Sequence, residues 1–291
     1  MTTAANPSAV VVGVDGSDSA LGATRWAAQF AAGQGLTLTL LHATPRLDWH
    51  FAGADHSAEL RGTADADTVL AAAEAAVRST HPDLTVTTAI AKDAVAAALA
   101  DASQSARLLV VGASDHRALG SQVVRTVHRT HCPVVVWRTP LARRTGKPLP
   151  VVVGVDDSEA AARALAEAFD VARTLHAQLM VVHMWEIDAA VGMGDLGGEG
   201  NMDWPLLEVL ETRQRQRMDE LVEPLARKYP NAHVTKVFKD AGPAKGLTDL
   251  SREAQLVVVG SHGRGRLAGS ILGSVSQNLI HHAECPVLVV R

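Results

Sequence analysis

The chain of 291 residues repeats itself. Residues 10–20, VVVGVDGSDSA, return at 151–161 as VVVGVDDSEAA. RLLVVGAS (107–114) returns as QLVVVGSH (255–262), and HCPVVVWR (131–138) as ECPVLVVR (284–291). Three matches in the same order and at nearly the same spacing mark a duplicated unit, so whatever fold the chain adopts is built twice. The length is comfortable for two domains and long for one core. The repeat divides the chain into a first domain at 1–140, a linker at 141–149 and a second domain at 150–291. The linker lies in the basic, proline-bearing stretch TPLARRTGKPLP (139–150).

Within each half, apolar runs alternate with helical patterns. In the second, strands are expected at Val151–Val155, Leu179–Met184, His233–Phe238, Leu256–Val259 and Val287–Val290. Helices are expected from Ser158 to His176, about Pro205 to Lys228, about Ala244 to Glu253, and Ser274 to Ala283. The strand runs are almost continuously Val and Leu, which suits strands covered by helices on both faces. Five such strands per half predict an α/β fold of two tandem, doubly wound, mostly parallel five-stranded sheets.

Composition excludes several partners. The net charge of −4 and pI near 6.3 offer no general attraction for nucleic acid. No apolar run approaches the roughly 18 residues of a membrane span, and MTTAANPSAV lacks the features of a secretory signal. Cys132 and Cys285 precede prolines at equivalent points of the two halves, an inherited position suited to a reducing cytoplasm.

In open parallel sheets, ligands bind outside the carboxyl ends of strands where the strand order reverses. The first strand ends in Asp15 in one half and Asp156 in the other; the fourth runs into a glycine loop from Gly112 or Gly260. If the reversal lies between those strands, acid and loop share one crevice. The second loop, GSHGRGRLAGSILGS (260–274), has glycines whose backbone can take positive φ and approach a ligand. Ser274 opens a helix whose free N–H groups attract an anion, and Arg264 and Arg266 add charge. This favours a di- or triphosphate; the same residues also fit a flexible surface loop. Asp156 either meets an adenine amino group or ribose hydroxyl, or caps the helix opening at Ser158.

Other motifs fail on context. GMGDLG (192–197) does not sit in a strand-to-helix turn, and no Walker loop is present. His281 and His282 lack companions at metal-ligand spacing. His42 and His183 recur at the end of the second strand of each half, where a structural or cleft-edge role is expected. No nucleophile–base arrangement follows from spacing.

The run Gly260-x2-Gly263-x9-Gly273-Ser274 resembles the ATP-binding signature of universal stress proteins, and the VGVD…S openings and CPVLVV ending agree with it. The whole chain is similar to the tandem-domain, actinobacterial type of that family. The resemblance implies an adenine-nucleotide α-hydrolase-like, Rossmann-like fold and a regulatory ATP-binding protein of the stress and dormancy response, without a dedicated catalytic site. ATP, with Mg2+, would meet Asp156 and the backbone around Met184 through its adenine. Gly260, Gly263, Gly273, Ser274 and Val275 would hold ribose and phosphates. The resemblance also implies pairing of Val134–Trp137 with Val287–Val290 in an internal pseudo-dimer, further homodimerisation, and a cytoplasmic location.

The first half departs from this pattern. Only seven residues separate Gly112 from Gly120, whereas twelve separate Gly260 from Gly273, and Asp115 stands where the second glycine belongs. Asp15, Gly112, Gly120 and Ser121 therefore form an impaired site, suited to weakened nucleotide binding or to a smaller ligand such as AMP. The alternative function is a slow ATP hydrolase or an adenylating enzyme of the α-hydrolase group. The openings VGVDGSDS and VGVDDSEA lack the phosphate-gripping glycine pair of the pyrophosphatase members.

Overall fold

The computed structural model describes residues 9–44, 65–113, 121–139, 148–185, 204–263 and 272–291. The chain divides into two compact units, Met1–Thr139 and Pro140–Arg291. In the first, β1 (Ala9–Gly13), α1 (Asp18–Gln34), β2 (Thr37–Ala43), α2 (Ala66–Arg78) and β3 (Val86–Ala91) precede α3 (Val95–Ser103), β4 (Leu108–Gly112), α4 (Ser121–Arg129) and β5 (Val134–Trp137). The second runs β6 (Val151–Val155), α5 (Glu159–Thr174), β7 (Leu179–Trp185), α6 (Trp204–Lys228), β8 (Val234–Asp240), α7 (Pro243–Leu250), β9 (Leu256–Gly260), α8 (Ser274–His282) and β10 (Val287–Val290).

The strand order is β3-β2-β1-β4-β5 in the first unit and β10-β9-β6-β7-β8 in the second. The pairings within them are parallel. Each unit thus steps outward from its first strand, crosses back, and steps outward on the other side. Right-handed crossovers then place two helices on each face, and α1 packs with α2 while α3 packs with α4. Covered on both sides, the central strands are buried along nearly their whole length: Val10 and Val12 are fully buried, as are Val151, Val153, Val257 and Val258. The outer strands β3 and β8 alternate instead between half-buried and exposed positions.

The expected elements of the second unit are all present, with shifted ends. Helix α5 stops at Thr174, short of His176, which takes φ of 51° in the left-handed region and turns the chain into β7. Helix α7 stops at Leu250 and tightens into a 3-10 turn over Ser251–Glu253. Strand β8 runs past Phe238 to Asp240 because its ladder with β7 continues as far as Trp185. Between α5 and α6, Tyr229 stacks on the fully buried Phe169 and donates its hydroxyl to Asp170 (2.8 Å).

One approach of backbone to backbone recurs in both units. A Cβ on Gly260, the last residue of β9, would lie 2.9 Å from both C and Cβ of Ala160 in the first turn of α5. A Cβ on Gly112 would lie 2.8 Å from Ala20 N and from Ser19 C in α1. Backbone on both sides leaves nothing that can rotate away. Gly112→Ala and Gly260→Ala are each expected to cost about 1–3 kcal/mol, the range for overpacking a tight contact. Chemical unfolding of the full chain measures this, and unchanged midpoints would contradict it.

Candidate functional site

The order β9-β6-β7 places the reversal of connection beside β6, so the chain leaves β6 and β9 toward opposite faces and opens a crevice at their carboxyl ends. The condition for acid and glycine loop to share one crevice is therefore met.

Asp156 follows β6. Its Oδ1 accepts hydrogen bonds from the backbone N of Ser158 (3.0 Å) and from Ser158 Oγ (2.5 Å). Ser158 Oγ in turn accepts from Ala161 N (3.1 Å), which makes Ser158 the N-cap of α5. The helix is thus capped by the serine, and the aspartate holds the cap. Its other oxygen faces the glycine loop: a Cβ on Gly263 would come within 2.8 Å of Asp156 Oδ2. The first unit repeats the device. Asp15 Oδ1 accepts from Ser17 N (2.9 Å) and Oγ (2.6 Å), and Ser17 Oγ accepts from Ala20 N (3.2 Å).

Gly273 is the N-cap of α8, and its N–H donates to Ser261 O (2.7 Å), tying the far end of the loop to its beginning. Among the described residues no side chain caps this helix. The first-turn N–H groups of Ser274, Val275 and Ser276 have no acceptor within a helix by construction, so the positive end of α8 opens beside the loop. Ser276 Oγ bonds back to Gly273 O (2.9 Å), which stiffens the turn. Ser274 is exposed and Val275 half-buried. An anion fits such an end without further help.

The positive φ expected of the loop glycines is not taken up by the described ones. Gly260, Gly263 and Gly273 do not take positive φ; among the described glycines only Gly16 and Gly35 do. Gly260 is required by the packing of its backbone on α5, and at Gly263 the missing Cβ leaves space that the end of the Asp156 side chain approaches. At Gly273 there is room: with φ of −76°, a Cβ would find its nearest neighbour, His262 Cα, at 3.4 Å.

Met184, near the end of β7, is buried with its thioether against Gly246 of α7. His183 precedes it and donates from Nδ1 to Val155 O (3.0 Å); His42 does the same to Val14 O (2.7 Å). Each histidine ties the second strand to the carbonyl just before the aspartate. That is the structural role expected of them. His281 and His282 lie together in the last turn of α8, and no cluster of three or more potential metal ligands occurs among the described residues.

Gly112 ends β4 and Ser121 begins α4 in the first unit. Gly120 and Asp115 lie outside the described residues, as do Arg264, Arg266 and the 192–197 cluster. No helix of the described residues is long and apolar enough to cross a membrane.

The support that Ser158 gives Asp156 is not among the sequence expectations, although an Asp-x-Ser at a strand-to-helix turn is a signal for it. Ser158→Ala is expected to cost about 0.5–2 kcal/mol through loss of the cap. A chemical unfolding midpoint equal to that of the unmodified chain would show that α5 does not depend on it.

Comparisons with known proteins bear on the whole chain. The profile of the universal stress protein family matches residues 8–138 and again 149–291. A universal stress protein of Mycolicibacterium smegmatis is 33% identical over 302 residues, covering 100% of this chain and 99% of its own length. A universal stress protein of Mycobacterium tuberculosis is 34% identical over 303 residues, covering 97% of this chain and 96% of its own. Among solved structures, a universal stress protein from Archaeoglobus fulgidus has a TM-score of 0.65 at 19% identity, over 98% of this chain and 97% of that one, a likeness of fold.

Proposed function

The chain belongs to the universal stress protein family, and on that footing we propose that it is a regulatory protein that binds ATP, with Mg2+, in the crevice of its second unit. The observation that carries this reading is the meeting of three groups at one strand edge. They are the Asp156 carboxylate, the Gly263 backbone beside it, and the N-terminus of α8, joined to the loop through Gly273 and Ser261. A carboxylate suits an amino group or a ribose hydroxyl, and an open helix end suits phosphate. Both lie close to Gly263: a Cβ there would meet Asp156 Oδ2 at 2.8 Å, and a Cβ on Gly273 would lie 3.6 Å from the Gly263 backbone N, so one nucleotide can meet both. Bound ATP would act by changing the partner or assembly state of the protein in a cytoplasmic stress or dormancy response.

In the first unit the Asp15–Ser17 device is intact, but the loop is five residues shorter and carries Asp115. An added carboxylate near 4 Å from a phosphate costs about 1 kcal/mol per charge pair in water and about 4 kcal/mol at an effective dielectric of 20. Fewer backbone donors act in the same direction. The first unit is therefore the weaker site.

The enzymatic alternative requires a base or metal-ligand cluster aligned on the phosphates; the carboxylate beside the loop, Asp156, is engaged by the Ser158 cap through Oδ1, and no group of three or more potential metal ligands occurs among the described residues. ATP loss is expected to be far slower than the roughly 1 per second of ordinary enzymes. Sustained faster turnover by contaminant-free protein would promote that alternative.

Gly273→Asp separates binding from folding. The position accepts a side chain, and aspartate is a good N-cap, so the fold should be as stable as before or a few tenths of a kcal/mol better. The carboxylate would occupy the phosphate position. For the unmodified chain, ATP at 100 times its dissociation constant should add about 2.7 kcal/mol of stability for one site. Thermal unfolding with and without ATP is expected to show this gain in the unmodified chain and none in the variant. An equal gain in a folded Gly273→Asp protein would contradict the assignment.

A further inference from the structure

The outermost strand of the first unit is open in a way that its counterpart in the second is not. β3 and β8 each end the strand order and pair on one side, with β2 and β7. Leu38 N donates to Thr85 O (3.0 Å) and Thr44 N to Ala91 O (2.8 Å), so the odd-numbered residues of β3 turn their backbone groups toward β2. The N–H and C=O of Val86, Thr88 and Ile90 therefore line the outer edge, where no strand pairs with them among the described residues. Sheets commonly guard such an edge with charge. β8 is guarded: Lys236 pairs with Asp219 of α6, and the Arg215 guanidinium lies 4.5 Å from the centre of the Phe238 ring. β3, VTTAIA, carries no charge. Its Ile90 holds the place of Phe238, opposite His42 as Phe238 is opposite His183, and is 47% exposed.

We propose that β3 is a docking edge for a second copy of this chain, the two strands running antiparallel about Thr88. This surface is distinct from the final strands β5 and β10, and the inference does not rest on the nucleotide reading. Antiparallel pairing sets Thr88 opposite itself and Val86 opposite Ile90 of the other copy, each pair exchanging two backbone hydrogen bonds. Ile90 gains an apolar neighbour, and no charge within the strand is set against another. Charge on α2 favours the same partner. Arg78, the last residue of α2, donates to Leu84 O (2.7 Å) just before β3, so α2 ends where β3 begins. Its first turn, with Asp67, lies toward the other end of the strand. A two-fold pairing therefore brings the acidic start of each α2 to the side of the basic end of the other. Between these ends α2 exposes Ala71 and Ala75, which leave room for the approach. Arg78 also meets Glu74 at 3.2 Å in the presence of water, so the backbone ladder contributes more than the charges do.

The test is sedimentation of the full-length chain over a range of concentrations, with thermal unfolding as the control for folding. The unmodified chain should associate reversibly. Ile90→Lys, which places a charge on the edge, should halve the mass of the associated particle. Thr88→Pro removes an N–H that β2 does not use and should halve it as well. Val209→Lys, at another exposed apolar side chain (49%), should leave association unchanged. Thr88→Cys should join two chains covalently on mild oxidation, because a hydrogen-bonded antiparallel pair sets its Cα atoms about 5.5 Å apart, within disulfide range. The native Cys132 and Cys285 are buried and do not compete. A chain that stays single at every concentration overturns the proposal. So does unchanged association in folded Ile90→Lys and Thr88→Pro proteins, or a Thr88→Cys protein that does not cross-link. ATP binding by the second crevice is read separately and stands or falls without it.

Discussion

The site depends on the approach of two backbones, that of Gly260 at the end of β9 and that of Ala160 in the first turn of α5. No side chain separates them, so the start of α5 lies directly against the strand that feeds the glycine loop. The Asp156–Ser158 turn, which begins that helix, is thereby carried to the loop, and Asp156 Oδ2 comes to face Gly263. The same approach operates between Gly112 and the Ser19–Ala20 peptide in the first unit. It is a packing constraint with a chemical consequence: the helix must be close for the sheet to be covered, and its closeness assembles the crevice.

Three local devices keep the assembled groups in place. Ser158 links Asp156 to the first turn of α5 and removes one orphan N–H. His183 fixes the carbonyl of Val155 from the neighbouring strand, so the peptide before Asp156 is held from both sides. The Gly273 N–H returns to Ser261 and closes the two ends of the loop on each other. The first unit retains the first two devices through Ser17 and His42. The units differ in the length and charge of the segments after β4 and β9.

The fold was largely legible in the sequence because its signals are local or repeated. The uninterrupted valines of VVVGVD and VVVG suit strands covered on both faces, and the repeat checks each assignment twice. Element ends were less legible. His176 enters the left-handed region without being glycine, in the local turn that ends α5 with His176 N donating to Arg173 O and Ala177 N to Ala172 O, whereas β8 extends as far as its pairing with β7 allows. In the site, Asp156 remained ambiguous between ligand contact and helix cap because each role needs only one oxygen, and the structure shows the two oxygens directed differently. Of the two freedoms anticipated for the loop glycines, positive φ is not used by Gly260 or Gly263, whereas the missing Cβ matters within the fold, at Gly260 against α5 and at Gly263 beside Asp156.

The central claim is that one of two homologous crevices holds a nucleotide tightly. The most direct measurement is the number of moles of ATP bound per mole of full-length chain at saturation, by equilibrium dialysis with Mg2+. A five-residue-shorter loop bearing Asp115 in the first unit, beside a loop of full length in the second, leads to about one tightly held ATP per chain. Two equal, tight sites would contradict the asymmetry, and no bound ATP would contradict the site itself.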